Sequence, residues 1–194
     1  MKSIYYTMSM IAALLLFQSC GEKVENYSES EETAVSEEDL IKKGEYLVEN
    51  MGCAHCHSPK KLTEKGPVPD MDKWLMGFPA NDSLPPIPSE MMGSSPWVLM
   101  HPDLTAAIGP WGTSYAGNLT PDDSGIGSWT LEQFKKAIKQ GKYKGMDNNR
   151  PMMPPMPVYS TLSDDDITAI FTYLKSIKPI DNVPPSYRPP SPMN

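Results

Sequence analysis

Cysteine and histidine are scarce, with three of each in 194 residues, and this scarcity excludes two kinds of small protein. Cys20, Cys53 and Cys56 are too few for a disulfide framework. A four-ligand zinc site is equally hard to assemble, because outside residues 53–57 the only other Cys or His are Cys20 and His101. Positive charge is also short: 17 Lys and Arg against 24 Asp and Glu leave −7, which argues against nucleic-acid binding. Hydrophobic residues make up 39% of the chain, below the usual range, and there are 21 prolines. That composition suits a single domain with a small core wrapped by loops better than a regular sheet.

What the chain does have is Cys53-Ala54-His55-Cys56-His57. This is Cys-x-x-Cys-His, the pattern for covalent attachment of one c-type haem. Two thiols three positions apart can both add to vinyl groups on one porphyrin edge, and His57 can turn its ring beneath the iron. A thioredoxin-like dithiol would want a βαβ setting, and none is visible. His55 reads as an exposed spacer. A covalent haem would also substitute for core that the polypeptide lacks.

The N-terminus reads as an address. Lys2 supplies a positive start, residues 11–17 an apolar core, and Ser19 a small residue before Cys20. Residues 1–19 therefore look like a secretory signal peptide, too short for a comfortable membrane span. Cleavage before Cys20 resembles lipoprotein processing, with that thiol lipidated as the membrane anchor. Phe17 and Gln18 depart from the usual residues there. Residues 22–39 hold eight acidic residues against the single Lys23. Such a segment cannot bury enough surface to order itself, so residues 20–36 read as an acidic tether.

The domain itself is expected over residues 37–180. Ser36-Glu37-Glu38-Asp39 resembles a capping box, and Leu40, Ile41, Gly44, Leu47, Val48 and Met51 follow at helical spacing to about residue 50. Gly44 on the apolar stripe marks either a close crossing with a second helix or simple drift. Residues 60–117 hold no period for long and read as irregular loops, with His101-Pro102-Asp103 as a capped turn. Gly109-Pro110-Trp111-Gly112, Asn118-Leu119-Thr120-Pro121-Asp122 and Gly125-Ile126-Gly127-Ser128-Trp129-Thr130 make consecutive turns. Thr130 then caps a helix at about 131–140, with Leu131, Phe134 and Ile138 on one face and Lys135, Lys136 and Lys139 toward solvent. Three methionines lie in Arg150-Pro151-Met152-Met153-Pro154-Pro155-Met156-Pro157. A last helix starts at Ser163 with a stripe of Ile167, Ile170, Phe171, Leu174 and Ile177, and Pro179 stops it. Residues 181–194 form a proline-rich tail, extended over the domain or frayed.

Helix, Cys-x-x-Cys-His, long loops, Met-Pro segment and final amphipathic helix in this order resemble a class I cytochrome c domain. The string from residue 109 to 130 is similar to one shared by exported members of that family, among them cytochrome subunits of membrane dehydrogenases and free-standing monohaem lipoproteins. The resemblance implies an all-α fold of about three main helices with long irregular loops around one haem. It implies Cys53 and Cys56 as thioether anchors, His57 as proximal ligand, and Gly44 packed on Tyr173. It points to the Pro67 carbonyl as the acceptor that orients His57. The spacing usual in the family makes Met156 the first choice of sixth ligand, Met153 the second and Met152 the third. Phe78, Trp97, Trp111 and Tyr115 are candidates to cover the haem edge. The Trp111 ring N–H, the Tyr115 hydroxyl and Arg150 are candidate propionate contacts, with ordinary packing or a surface position as the simpler role for each.

The expected function is one-electron transfer with His/Met ligation, which raises the potential of a carrier. Its partners would be a redox donor and an acceptor protein, with no small-molecule substrate. The site of action would be the periplasmic side of a membrane or the cell envelope, reached through the lipid on Cys20. The rivals are a haem-bearing subunit of a dehydrogenase or oxidase complex, and a haem enzyme or sensor with an open sixth site.

Overall fold

A computed structural model describes residues 35–87 and 96–190. The signal-peptide and lipidation assignments, Cys20 included, lie outside these residues. Helix α1 spans Glu37–Asn50. Its start is fixed as the sequence anticipates: the Ser36 hydroxyl oxygen accepts from the Asp39 amide at 3.1 Å, and three acidic residues occupy the first turn, where the helix dipole favours them. After Met51, Gly52 adopts φ 92°, a left-handed turn that re-aims the chain into the short helix α2, Cys53–His57.

Helix α3 (Leu131–Gln140) carries a full capping box, with Thr130 and Gln133 satisfying each other's backbone amides, and ends at Gly141 with φ 63°. Helix α4 (Asp164–Ser176) is capped by Ser163. Val48, Leu75, Ile126, Phe134, Ile167, Ile170 and Leu174 form the core between these helices. Helices α1 and α4 cross at Gly44. A Cβ built there would lie 2.1 Å from the Ala169 carbonyl oxygen and 2.6 Å from Tyr173 Cβ, so the close-crossing reading of this glycine holds. The α3 lysines do not simply face solvent. Lys135 and Lys139 pair with Asp164 at 3.1 and 2.7 Å, and Lys136 with Asp147 at 2.8 Å, which links α3 to the start of α4. Exposed pairs of this kind contribute little stability.

The expectation of an all-α domain needs correction, because the long middle contains two small antiparallel sheets. Strands β1 (Lys60–Thr63) and β2 (Gly66–Pro69) form a hairpin. Strands β3 (Leu99–Met100), β4 (Ala106–Gly109) and β5 (Gly112–Tyr115) form a three-stranded sheet in that order. None carries apolar–polar alternation: β4 and β5 are Ala, Gly, Ser and Thr for the most part and are buried along most of their length. Their pairing satisfies backbone groups of buried loops, a demand that leaves little trace in side-chain pattern.

Beyond α4 the chain lies extended over the domain as a strap. The buried Asn182 side chain donates to the Met76 and Phe78 carbonyls at 2.7 and 2.9 Å and accepts from the Ala80 amide at 2.8 Å. Further along, Arg188 exchanges two backbone hydrogen bonds with Thr113, at 2.8 and 3.0 Å, extending the sheet at β5. The tail is therefore wrapped over the domain as far as residue 190.

Candidate haem site

Helix α2 presents the Cys-x-x-Cys-His segment in little more than one turn. Cys53 and Cys56 are three residues apart, hence on one helical face, and both are half-buried free thiols. Burial pushes the Cys53 thiol up to about 11 and raises Cys56 as well, so both sulfurs are neutral at pH 7. His55 is exposed, as a spacer should be. His57 turns inward and is 8% exposed. Desolvation lowers its pKa, against the opposing pull of its bond to Gly117, so the ring is neutral. Its Nδ1 meets the Gly117 carbonyl oxygen at 2.7 Å. A carbonyl can only accept, so Nδ1 carries the proton and Nε2 presents a lone pair, the form that ligates a metal.

Gly117, not Pro67, supplies that carbonyl. Pro67 is opposite Leu62 in the β1–β2 hairpin, a position fixed by the hairpin register rather than by the histidine. Gly117 is held by the string that follows it. The Asn118 side chain donates to the Ile180 carbonyl at 2.8 Å and accepts from the Thr120 amide at 2.9 Å. The Leu119 amide donates to the Leu75 carbonyl at 2.9 Å. Gly125 and Gly127 lie too close to the carbonyls of Thr120 and Asp122 to carry a side chain. The Asn-Leu-Thr-Pro-Asp and Gly-Ile-Gly pieces are thus a scaffold that places one backbone oxygen against His57.

Two further residues at the site carried no signal of their own. Lys60 donates to the carbonyls of His55, Ser58 and Asp103, which caps the end of α2 and ties it to the His101–Asp103 turn. Within that turn His101 is bonded to Asp103, in keeping with a capping role. Tyr159 donates from its hydroxyl to the Met51 carbonyl at 3.1 Å. Burial raises its pKa.

The methionine loop is held at the end of α3 and within itself. Met152, Met153 and Met156 are all half-buried, the Met152 amide donates to the Gly141 carbonyl at 2.7 Å, and the Met156 amide to that of Met153 at 3.3 Å. The candidate propionate contacts are differently placed. The Trp111 ring N–H is already given to Ser114 Oγ at 3.3 Å. Tyr115 packs edge-on against Phe78 with ring centroids 5.0 Å apart. Arg150 stacks on Tyr143, its guanidinium carbon 3.9 Å from the ring centroid, and donates to the Pro151 carbonyl at 2.9 Å.

The donor set suits a c-type haem. Among the described residues, no three His, Cys, Asp or Glu side chains are grouped to hold a metal ion, so the thiols and His57 do not surround a common point. Two separate thiols on one helix face and a neutral histidine with a free Nε2 would hold a haem through two thioethers and an imidazole ligand.

Comparison with known proteins points the same way. Residues 41–178 match the cytochrome c family profile. The chain is 31% identical over 135 residues to a gluconate 2-dehydrogenase cytochrome c subunit of Pantoea cypripedii, covering 69% of this chain and 22% of that one. It is 33% identical over 147 residues to an alcohol dehydrogenase (quinone) cytochrome c subunit of Gluconobacter oxydans (strain 621H), covering 75% and 23%. A fructose dehydrogenase cytochrome subunit of Gluconobacter japonicus is 35% identical over 91 residues, 46% of this chain and 18% of that one. The chain thus spans less than a quarter of the length of each of these relatives. With Cys53, Cys56 and His57 in the haem-attachment motif and the family profile matched across the domain, the chain belongs to the cytochrome c family of haem-bearing electron carriers.

Proposed function

We propose that this chain carries one haem c, bound through thioethers at Cys53 and Cys56 and ligated by His57 and Met156, and that it passes single electrons between protein partners. The observation that carries the reading is the hydrogen bond from His57 Nδ1 to the Gly117 carbonyl, which fixes the imidazole as a neutral ligand next to the paired thiols. The haem supplies the redox centre. The protein's part is to hold His57 neutral and oriented, buried next to a core that includes Ala54 of the same helix. A thioether from the opposite side favours the reduced iron and raises the potential. Met156 is preferred over Met153 because its spacing to the start of α4 at Ser163 is the one usual in the family, and Tyr159, three residues on, bonds to the Met51 carbonyl just before α2.

The proposal extends to place and partners. A lipid on Cys20 would anchor the protein at the periplasmic side of a membrane or in the cell envelope, with residues 20–36 as a spacer. The relatives named as dehydrogenase cytochrome subunits favour a sugar or alcohol dehydrogenase as electron donor, whether this chain is a free carrier or a bound subunit. The ligation is tested with Met152→Ala, Met153→Ala and Met156→Ala in the matured ferric protein. Only Met156→Ala should abolish the weak far-red band of thioether-to-iron bonding, and it should lower the potential. A wild type lacking the band, with a high-spin ferric spectrum at neutral pH, would instead support a haem enzyme or sensor with an open sixth site.

A further inference from the structure

Residues 150–157, which carry the three methionines, are tied to the rest of the protein at several points. Among them are the bonds from the Met152 amide to the Gly141 carbonyl and from the Tyr143 amide to the Arg150 carbonyl, and the C-terminal strap serves two others. The first tie is a relay. Tyr187 on the strap donates from its hydroxyl to the Trp111 carbonyl at 2.6 Å. The Trp111 ring N–H donates to Ser114 Oγ at 3.3 Å. Ser114 in turn lies 2.6 Å from the Pro154 carbonyl and 3.4 Å from that of Ala107. A hydroxyl has one proton to give, and the indole N–H already fills an acceptor position on Oγ, so the proton goes to the nearer oxygen, Pro154. The second tie is Arg150, whose guanidinium carbon lies 3.9 Å from the Tyr143 ring centroid and 5.1 Å from that of Tyr187.

The strap is itself well seated. Its backbone pairs with Thr113 in both directions at 2.8 and 3.0 Å. Gly112 makes room for it: a Cβ there would lie 2.1 Å from the Arg188 carbonyl oxygen. The middle of the methionine loop is otherwise proline, with no amide to donate at Pro151, Pro154, Pro155 or Pro157. With few amides to give beyond those of Met152 and Met156, the loop also depends on bonds to its carbonyls from outside, and the Ser114–Pro154 bond lies two residues from Met156.

We infer that Ser114 and Tyr187 are positioning residues for the sixth ligand, with the strap acting through Trp111 and Ser114 to hold the Met156 thioether in place. This inference rests on Met156 being that ligand. The test uses full-length, haem-loaded ferric protein and follows the far-red band as pH is raised, because hydroxide or another strong ligand then displaces the thioether. Ser114→Ala is expected to lower the pH midpoint of band loss by about one unit, a roughly tenfold easier displacement. Tyr187→Phe keeps the ring that stacks on Arg150 and removes only the hydroxyl, and should give a smaller shift of about half a unit, or roughly threefold. The haem c absorption, the far-ultraviolet helix signal and its melting midpoint should stay close to wild type. If Ser114→Ala does not accumulate, Tyr187→Phe decides the matter. Wild-type midpoints in the variants would overturn this inference and leave Met156 as ligand. A wild type without the band would overturn the ligand assignment and this inference with it.

Discussion

Gly44→Ala is expected to destabilise the domain by about 3 kcal/mol, even though alanine is the better helix former by about 1 kcal/mol. The sign follows from where the new atom would sit. Ideal Cβ placement puts it 2.1 Å from the Ala169 carbonyl oxygen and 2.6 Å from Tyr173 Cβ. One of these neighbours is backbone and the other the root of a side chain, so no rotamer change relieves the contact, and α1 must back away from α4. That crossing is the largest helix–helix contact among the described residues. It also joins Val48 to Ile167, Ile170 and Leu174 in the core. The separation would open a void along the rest of the contact, adding loss of packing to the clash. In a chain of this length the expected fall in melting temperature is roughly 6–12 °C, measured on the haem-loaded protein by circular dichroism. Unchanged stability would mean that the two helices do not meet at Gly44.

Removing both thiols in Cys53→Ala/Cys56→Ala should reduce covalently retained haem to background. Each thiol supplies one bond, so either single variant should keep haem attached through the remaining thioether. In the double variant, only His57 and the opposing ligand could hold the group, and it should pass into acid acetone. Folding should suffer in step. The chain is only 39% hydrophobic, and the described core has few large side chains, Phe78, Leu75 and Ile126 among them. A haem with broad apolar faces therefore makes up much of what the domain buries, and its loss should leave a protein that melts early and is digested readily. The check is haem-specific staining of denatured chains on a gel, beside a proteolysis time course. Covalent haem surviving in the double variant would show that other residues attach it.

Much of this architecture is legible in the amino-acid order, and the reasons differ from element to element. The starts of α1, α3 and α4 are written in Ser36, Thr130 and Ser163, whose side chains cap them in the structure. Local hydrogen bonds of this kind depend on residues three positions apart, so the sequence displays them directly. The meeting of Gly44 with Tyr173 is long-range, and it was anticipated only through resemblance to the cytochrome c family. The sheets were not visible, because β4 and β5 pair through backbone while their small side chains lack alternation. The acceptor for His57 was misplaced for a related reason. Any residue has a carbonyl, and nothing in Gly117 itself distinguishes its oxygen; the Asn118 string only hints at it by holding that stretch rigid. The role of Lys60 is hidden because it depends on the fold bringing the Asp103 carbonyl, 43 residues away, to the end of α2, where His55 and Ser58 supply the other two. The Tyr159 bond to Met51 is hidden likewise, because the two residues are 108 positions apart in sequence.

The electrostatics agree with the carrier reading. His57 is kept neutral by burial despite the bond that would favour its charged form. Before attachment the two thiols are neutral as well, and Lys60 ties the His55 carbonyl of α2 to that of Asp103.

The central claim is that one haem is bonded to this chain through Cys53 and Cys56. The most direct measurement is the mass of the intact polypeptide under denaturing conditions, after production in cells with competent haem-attachment machinery. The account predicts a mass greater by a single haem than that of the Cys53→Ala/Cys56→Ala chain produced in the same cells, after allowance for the two substitutions. A bare polypeptide mass, with all haem released on denaturation, would contradict it.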